Sequence, residues 1–321
     1  MLKKYNLVVM DGFTMNPGDL SWNGIKALGS CKIYERTSRE ETIQRCKDAD
    51  IVITNKVVFD QNTLQKLTNL KYIAVTATGY NVVDILVAKE RGILVSNVPA
   101  YSTDSVAQLV FAYILNITQQ VAYLNTSVHK GDWLKSKDFC YWDMPLAELK
   151  GMTLGIIGFG RIGQQVAEIA RSFKMNVIVN TRTIKEGLPG IKFVNQQQLF
   201  IKSDFISLHC PLTQQTEGII NKNSIALMKD RAVLINTGRG GLVNENDLAE
   251  ALNNSRIAAA CLDVLSTEPP KTDNPLLLAK NCYITPHIAW ATISARQRLL
   301  GIVTANIKSF IDGKAQNIVN P

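Results

Sequence analysis

Three glycines, two and three residues apart, mark the point where an apolar segment gives way to a segment with helical apolar spacing. Residues 153–157 predict a buried strand, and residues 164–171 predict a helix. The first glycine would permit the tight turn, the second would let the backbone approach a ligand, and the third would let the helix pack on the strand. The pattern is typical of a turn that binds a dinucleotide pyrophosphate at helix amides, and a glycine-rich turn without a ligand is the alternative. The predicted contacts are Gly158, Gly160, Arg161, Ile162 and Gly163.

Length, composition and charge narrow the class of protein. The 321 residues, 46% of them hydrophobic, suffice for two cores of ordinary domain size. The formal net charge is +8, but the 35 basic residues are spread along the chain and form no stripe with interleaved aromatic residues. We interpret the charge as a basic surface that helps to attract anionic small molecules, and we expect no nucleic-acid partner.

The cysteines and the beginning of the sequence bear on location. The 6 cysteines have neither paired spacing nor the spacing of metal ligands, so we expect reduced thiols and no bound metal. The apolar run after Lys3 and Lys4 ends at Asp11, which is too short for a signal peptide or a membrane span. The sequence therefore predicts a cytoplasmic protein without a membrane partner.

Strand and helix patterns alternate along most of the chain. The first set of predicted strands is residues 7–10, 50–54, 71–76 and 92–96, with helical segments between them. The second set has six strands, at residues 153–157, 176–180, 203–208, 232–236, 258–263 and 281–285. Such alternation predicts an α/β protein with two doubly wound parallel sheets.

A long apolar helix and an aromatic segment lie between the two sets of strands. The helix is predicted from Val106 to about Val128, after capping side chains at residues 102–104, and its apolar faces indicate burial between layers or subunits. We interpret the aromatic residues 131–142 either as a packed connecting loop or as a dimer contact. A last helix, residues 293–311, would carry the chain back to the first domain.

Three polar residues follow predicted strands, where ligands of open parallel sheets bind. They are Arg239, Glu268 and His287. Taken singly, each residue has an equally good alternative. Arg239 would be a surface cation, Glu268 a charge at a helix end, and His287 a hydrogen-bonded residue at a strand end. With a dinucleotide turn, they fit hydride transfer to a 2-keto acid. Arg239 would hold the carboxylate and polarise the keto oxygen, His287 would supply the proton, and Glu268 would fix the imidazole tautomer and favour its cation.

The motifs around these residues resemble those of the D-isomer-specific 2-hydroxyacid dehydrogenases. They are residues 236–240, residues 262–264 with Glu268 and Pro269, and residues 286–289. The motifs lie in the family's order, and the resemblance covers nearly the whole chain. The glycerate dehydrogenase or hydroxypyruvate reductase branch is the most similar, on residues 76–84, 97–102 and 141–142.

This resemblance implies a fold and an activity. A Rossmann cofactor domain, residues 99–289, would be inserted in a flavodoxin-like substrate-binding domain, residues 1–98 and 290–321. The expected reaction is reduction of hydroxypyruvate or glyoxylate with NAD(P)H, with D-glycerate oxidation as the reverse, in a homodimer. The implied substrate contacts are Thr78 and Gly79 through backbone amides, with Arg239 and His287. The implied cofactor contacts beyond the glycine turn are Cys210, Pro211, Thr216, Thr237, Gly238, Asp263 at the nicotinamide amide, and His287.

The chain has only 3 histidines that could serve as the proton donor. His129 lies near the end of the long helix, away from any strand end, and is expected to be structural. His209 lies at a strand end on the cofactor side and competes for the role. We favour His287, because the resemblance assigns it the role and offers Glu268 as its partner, whereas carboxylates are poor donors at neutral pH.

The end of the second cofactor-domain strand departs from the NAD pattern. Asn180, Thr181 and Arg182 stand where an aspartate or glutamate would accept the ribose hydroxyls and repel a 2′-phosphate. With Arg182 and Lys185 at hand, the segment favours NADP over NAD. The alternative is that Asn180 accepts a ribose hydroxyl and Arg182 points to solvent.

Two other functions compete with this hypothesis. Formate dehydrogenase shares the architecture, but formate oxidation releases no hydroxyl proton and does not need Glu268 and His287. A dinucleotide-sensing corepressor would bind the cofactor on this fold and act through protein partners. Turnover with a panel of 2-keto acids separates the corepressor from the enzyme.

Overall fold

The computed structural model describes residues 5–184 and 189–321. The chain divides into two compact units, one formed by Met1–Ser102 with Ala291–Pro321 and the other by Thr103–Trp290. We call them unit 1 and unit 2. The helix that opens unit 2 begins at Thr103. The units divide after Ser102 and after Trp290, whereas the predicted domains divide after residues 98 and 289.

Unit 1 contains a parallel five-stranded sheet. Its strands are β1 (Tyr5–Val9), β2 (Gly29–Ile33), β3 (Ile51–Thr54), β4 (Tyr72–Val75) and β5 (Leu94–Ser96). Its first helices are α1 (Gly12–Met15), α2 (Asn23–Lys26), α3 (Arg39–Cys46), α4 (Gln61–Lys66) and α5 (Ile85–Glu90). The strand order β2-β1-β3-β4-β5 is that of a flavodoxin-like fold, as predicted. β3 and β4 are buried along their whole length, as strands of a parallel sheet under helices are.

Unit 2 contains a parallel seven-stranded sheet. Its strands are β6 (Thr153–Ile157), β7 (Asn176–Asn180), β8 (Ile191–Phe193), β9 (Phe205–Leu208), β10 (Val233–Asn236), β11 (Ala259–Leu262) and β12 (Cys282–Ile284). Its helices are α6 (Thr103–Gln119), α7 (Val121–His129), α8 (Arg161–Ser172), α9 (Gln196–Lys202), α10 (Lys222–Ala226) and α11 (Glu245–Asn253). The order β8-β7-β6-β9-β10-β11-β12 is the Rossmann order with one further strand, β12, at its end.

Two strands were not predicted, and both lie at a sheet edge. The sequence predicts six strands for unit 2, but β8 makes a seventh at the edge beside β7. In unit 1 the missed strand is β2, at the edge beside β1. Both expose alternate residues and bury none fully, so neither has the continuous apolar run that predicts a central strand.

The prediction of one long helix over residues 106–128 was wrong. The structure has two helices, α6 and α7, separated by Gln120, which has a left-handed backbone with φ of 52°. The Gln120 side chain donates to the carbonyl of Ile117, 3.1 Å away, and so binds one of the free carbonyls at the end of α6. α6 is buried on one face, whereas α7 has no buried residue. The prediction of a buried helix therefore holds for α6 only.

The last helix, α12 (Ile293–Ile311), has the predicted bounds and belongs to unit 1. Its Phe310 ring stacks on the ring of Tyr72 in β4, with 4.4 Å between centroids. Arg296 of α12 donates to both carboxylate oxygens of Asp19, at 2.7 and 2.6 Å, which secures the loop after α1. Among the described residues, no helix has the length and apolar character needed to span a membrane.

Candidate active site

The predicted cofactor and catalytic residues of unit 2 follow six neighbouring strands of its sheet. Because the strands are parallel, their carboxyl ends lie at one edge. Within three residues of the ends of these strands lie Gly158, Asn180, Cys210, Thr237, Asp263 and His287. Thr78 and Gly79 belong to unit 1, where they follow β4. The structure therefore brings most of the predicted site to one sheet edge of unit 2.

Two glycines of the turn after β6 have no room for a side chain. Gly158 has φ of +93°, and a Cβ atom there would lie 2.4 Å from the backbone nitrogen of Cys210. A Cβ atom at Gly163 would lie 2.4 Å from the carbonyl oxygen of Gly158. The strand, the turn and α8 can pack this closely only with glycine at both positions.

Gly160 differs from both, because a Cβ atom there would have no atom within 4 Å. It is the N-cap of α8 and offers no capping side chain to the free amides of the first turn, which begins at Arg161 and Ile162. Uncapped amides at a helix N-terminus are what an anionic group binds, and Gly160 places no side chain beside them. The geometry of the turn therefore fits a dinucleotide pyrophosphate.

Thr237, after β10, gives a second sign of a ligand. The residue is 9% exposed, and its hydroxyl oxygen is buried without a hydrogen-bond partner in the described part of the chain. An unpaired buried hydroxyl is costly, so a group that binds at this edge would satisfy it. Thr237 and the neighbouring Gly238 are both predicted cofactor contacts.

The segment after β7 is where the cofactors NAD and NADP would be distinguished. The Asn180 side-chain amide donates to the carbonyl of Val194 at 3.1 Å, and its carbonyl oxygen accepts no hydrogen bond from the described residues. Thr181 is half-buried and Arg182 is exposed. Lys185, named with them in the sequence analysis, lies outside the described residues.

The loop after β9 is held by its own side chains. The Thr216 hydroxyl donates to the carbonyl of Pro211 at 2.6 Å and accepts from the amide of Thr213 at 2.8 Å. In the same segment, Nε2 of His209 lies 2.8 Å from the hydroxyl of Ser207. Burial lowers the pKa of His209 to about 4, so this imidazole is neutral at pH 7 and is a poor proton donor.

Arg239 is held in place through its backbone. The buried Asn236 side chain donates to the carbonyl of Arg239 at 2.9 Å and accepts from the amide of Gly238 at 3.0 Å. The Arg239 side chain is exposed, and one guanidinium nitrogen donates to the carbonyl of Gly238 at 2.8 Å. A Cβ atom on Gly240 would lie 1.9 Å from the carbonyl carbon of Leu265, so the Arg239 loop packs backbone to backbone on the loop that leads to Glu268.

Glu268 and His287 form a hydrogen-bonded pair. Oε2 of Glu268 lies 2.6 Å from Nδ1 of His287, and the two side chains are 32% and 33% exposed. The other carboxylate oxygen of Glu268 accepts from the amide of Leu265 at 3.2 Å. The carboxylate therefore engages Nδ1 and leaves Nε2 as the nitrogen that can exchange a proton with a ligand.

Glu245, in the first turn of α11, supports this pair and was missed in the sequence analysis. Its carboxylate accepts from the amide and hydroxyl of Ser266, at 2.7 and 2.8 Å, and from the side-chain amide of Asn274 at 2.8 Å. These contacts secure the loop that carries Glu268. An acidic residue in the first turn of a helix suits the helix dipole, so the sequence offered no separate signal for this role.

In unit 1, the loop with Thr78 and Gly79 is fixed from two sides. The Asn97 side chain donates to the carbonyl of Thr78 at 2.8 Å, and the Thr78 hydroxyl donates to the carbonyl of Val98 at 2.9 Å. The side chain of Asn306 in α12 in turn donates to the carbonyl of Asn97 at 3.0 Å. Asn97 and Asn306 were not predicted as site residues, because their partners lie far away in the sequence.

Comparison with known proteins agrees with this geometry. The family model for the D-isomer specific 2-hydroxyacid dehydrogenase NAD binding domain matches residues 111–289. A hydroxypyruvate reductase of Blautia hydrogenotrophica is 49% identical over 98% of this chain and 99% of its own, and a glycerate dehydrogenase of Methylorubrum extorquens is 40% identical over 90% and 91%. Among solved structures, an acyclic imino acid reductase in complex with NADPH and D-Arg is 34% identical, with a TM-score of 0.85 over 98% of this chain and 99% of that one. The chain thus belongs to the D-isomer-specific 2-hydroxyacid dehydrogenase family, enzymes that move a hydride between a nicotinamide cofactor and a 2-keto or 2-hydroxy acid.

Proposed function

We propose that this enzyme reduces hydroxypyruvate, and glyoxylate as a second substrate, with D-glycerate oxidation as the reverse reaction. The observation that carries the proposal is the 2.6 Å pair of Glu268 and His287, in the same unit as a glycine turn that fits a dinucleotide. The similarity to a hydroxypyruvate reductase and a glycerate dehydrogenase supports the choice of substrate.

The proposal also places the enzyme in the cytoplasm. The scattered, unpaired cysteines support this location.

Each site residue has a distinct role in the proposed reaction. The bound NAD(P)H supplies the hydride. Arg239 binds the substrate carboxylate and the keto oxygen with its forked guanidinium. His287 donates a proton from Nε2 to the keto oxygen, while Glu268 engages Nδ1 and so fixes the orientation of the ring. In the reverse direction the neutral imidazole accepts the proton.

A panel of substrates tests the proposal. We expect kcat/KM to be highest for hydroxypyruvate, lower for glyoxylate and lowest for 2-keto acids with larger apolar side chains. Formate should give no reduction of NAD(P)⁺, because a formate dehydrogenase has no use for the pair of Glu268 and His287. A higher kcat/KM for a bulky 2-keto acid than for hydroxypyruvate would reject the proposed substrate.

The pair of Glu268 and His287 predicts an effect on turnover. Glu268→Gln replaces the carboxylate oxygen that lies 2.6 Å from Nδ1 of His287 with an uncharged amide. A hydrogen bond to a charged group contributes about 1.5 to 3 kcal/mol, so kcat for keto-acid reduction should fall by about ten- to a hundredfold. Asp273→Asn, which removes an exposed carboxylate from the same segment, is the matched control and should leave kcat unchanged. An unchanged kcat in Glu268→Gln would mean that the carboxylate does not assist His287.

The coenzyme preference forms the next part of the proposal: NADPH is used at least as well as NADH. Asn180 carries no charge to repel a 2′-phosphate, and the exposed Arg182 can bind one. The solved imino acid reductase that binds NADPH supports this choice. One charge-assisted contact contributes about 1.5 to 3 kcal/mol, which corresponds to roughly ten- to a hundredfold in affinity.

Two substitutions should reverse the preference. Asn180→Asp restores a ribose acceptor that repels the 2′-phosphate, and Arg182→Ala removes the phosphate partner. The measurement is kcat/KM with NADH and with NADPH for the wild type and the double variant. Arg91→Ala, which removes an exposed arginine from unit 1, is the control for net charge. A wild type that strongly prefers NADH would mean that Asn180 serves as a ribose acceptor and that the NADP proposal is wrong.

The proposal also includes a homodimer formed through α7 and the segment 131–142. These elements expose large apolar side chains, among them Leu134, which is 91% exposed, and Phe139, which is 89% exposed. Apolar patches of this kind are typical of protein interfaces. Sedimentation equilibrium should give twice the chain mass for the wild type and the single chain mass for Leu134→Glu with Phe139→Glu. Leu278→Glu, at a leucine that is 92% exposed, should remain a dimer. A monomeric wild type would reject the dimer.

A further inference from the structure

The backbone of His287 has an unusual conformation. His287 follows β12 and has φ of 54°, in the left-handed region that favours glycine. A residue with a side chain stays there only when its surroundings hold it. The amide of His287 donates to the carbonyl of Asp263 at 2.9 Å. The amides of Ile288 and Ala289 each donate to the carboxylate of Asp263 at 2.8 Å. Asp263 therefore holds the backbone on which the imidazole stands.

The carboxylate of Asp263 has a third donor. The hydroxyl of Thr285 lies 2.5 Å from one of its oxygens, and Asp263 is only 1% exposed. Two of the three partners are backbone amides, which can only donate, so the carboxylate serves as the acceptor. The position of this buried group sets the positions of residues 288 and 289.

The direction of the next hydrogen bond follows from a count of protons. The Tyr113 hydroxyl oxygen lies 2.5 Å from the Thr285 hydroxyl oxygen. Thr285 has one hydroxyl proton, and that proton is committed to Asp263. Tyr113 must therefore be the donor to Thr285. Burial raises the pKa of Tyr113, so the phenol keeps the proton that this arrangement requires.

We propose that Tyr113 is a positioning residue for the proton donor, acting through Thr285 and Asp263 on the backbone of the His287 loop. Tyr113 is one of the buried residues of α6 and is 6% exposed. Its hydroxyl group is the first member of a row of hydrogen bonds that passes through Thr285 and Asp263 and ends at the amides after His287. Such a row polarises each successive bond, so loss of the first donor weakens the last. The inference rests on the proposed role of His287 in keto-acid reduction.

The first test removes one oxygen atom. Tyr113→Phe should lower kcat for hydroxypyruvate reduction by about three- to tenfold, the equivalent of one buried hydrogen bond, with KM and the affinity for NADPH near wild type. Tyr72→Phe is the matched control, because the buried Tyr72 hydroxyl also donates to a hydroxyl, that of Ser96 at 2.6 Å in unit 1. Both variants should lose some thermal stability, but only Tyr113→Phe should lose kcat. An unchanged kcat in Tyr113→Phe would overturn the proposal.

Variants of Thr285 test the route. Thr285→Val should lower kcat at least as much as Tyr113→Phe does. Thr285→Ser keeps the hydroxyl group and should have a kcat near that of the wild type. Adding Tyr113→Phe to Thr285→Val should then have no further effect on kcat, because the two residues act in series. A full additional loss in the double variant would mean that Tyr113 acts by another route, which contradicts the proposal.

A readout without turnover separates this inference from the proposed function. The chain has only 3 histidines, so the His287 ring resonances can be identified by NMR through their loss in His287→Gln. We expect Tyr113→Phe to shift these resonances and leave those of His129 in place. If the wild type reduced no 2-keto acid while the resonances still shifted, the proposed function would fail and the positioning role would stand. Resonances unmoved in Tyr113→Phe, in an active enzyme, would reject the positioning role.

Discussion

Replacement of His287 by glutamine is expected to lower kcat for keto-acid reduction by about a hundred- to ten-thousandfold, the usual contribution of a positioned proton donor. Glutamine can occupy a similar volume but cannot deliver a proton to the keto oxygen. The affinity for NADPH should stay near that of the wild type. The measurement is steady-state kinetics together with a titration of the cofactor.

The other two histidines provide the comparison for this variant. His129→Gln is the control, because His129 is exposed at the end of α7. His209→Gln tests the competing donor, whose pKa of about 4 leaves it neutral at pH 7. Near-wild-type turnover in His287→Gln would remove the donor role from His287. A larger loss in His209→Gln would transfer the role to His209.

The second large effect is expected at Gly158. In Gly158→Ala a side chain would have to adopt φ of +93° with its Cβ atom 2.4 Å from the backbone nitrogen of Cys210. Strained backbone and overpacking together should lower the free energy of unfolding by roughly 2 to 5 kcal/mol. Urea denaturation measures this loss, and cofactor binding should be lost with it.

Gly160→Ala separates the effect of a side chain on cofactor binding from its effect on the stability of the fold. A Cβ atom there has nothing within 4 Å, so the free energy of unfolding should change by less than about 1 kcal/mol. If a pyrophosphate approaches this backbone, the same methyl group should weaken NADPH binding by about tenfold or more. Gly301→Ala, at an exposed glycine of α12 that is equally open, should change neither quantity much. Wild-type NADPH affinity in Gly160→Ala would reject a pyrophosphate at this turn.

Much of the fold could be predicted because central parallel strands are continuous apolar segments. β3, β4, β9, β10 and β11 are buried at every residue, and all five fall within predicted strands. The edge strands β2 and β8 expose alternate residues and carry a weaker signal. The break at Gln120 was missed because neither glycine nor proline marks it. The left-handed backbone of Gln120 and the contact of its side chain with Ile117 give no such signal in the sequence.

The site was predictable in its residues and less so in its supports. Motifs and strand ends named Arg239, Glu268 and His287, and the structure pairs the last two. The supporting residues Glu245 and Tyr113 act through partners that lie 21 and 172 positions away in the sequence. A tyrosine in an apolar helix face signals that its hydroxyl needs a partner, but it does not identify that partner. Hydrogen bonds over such separations become visible only in three dimensions.

The most direct test of the central claim is the absorbance of reduced nicotinamide when the purified chain, NADPH and hydroxypyruvate are mixed. We expect a decay that depends on hydroxypyruvate, that yields D-glycerate in equal amount, and that nearly disappears in His287→Gln. A flat trace with hydroxypyruvate and with every other 2-keto acid, despite tight cofactor binding, would contradict the account and favour a dinucleotide-sensing corepressor.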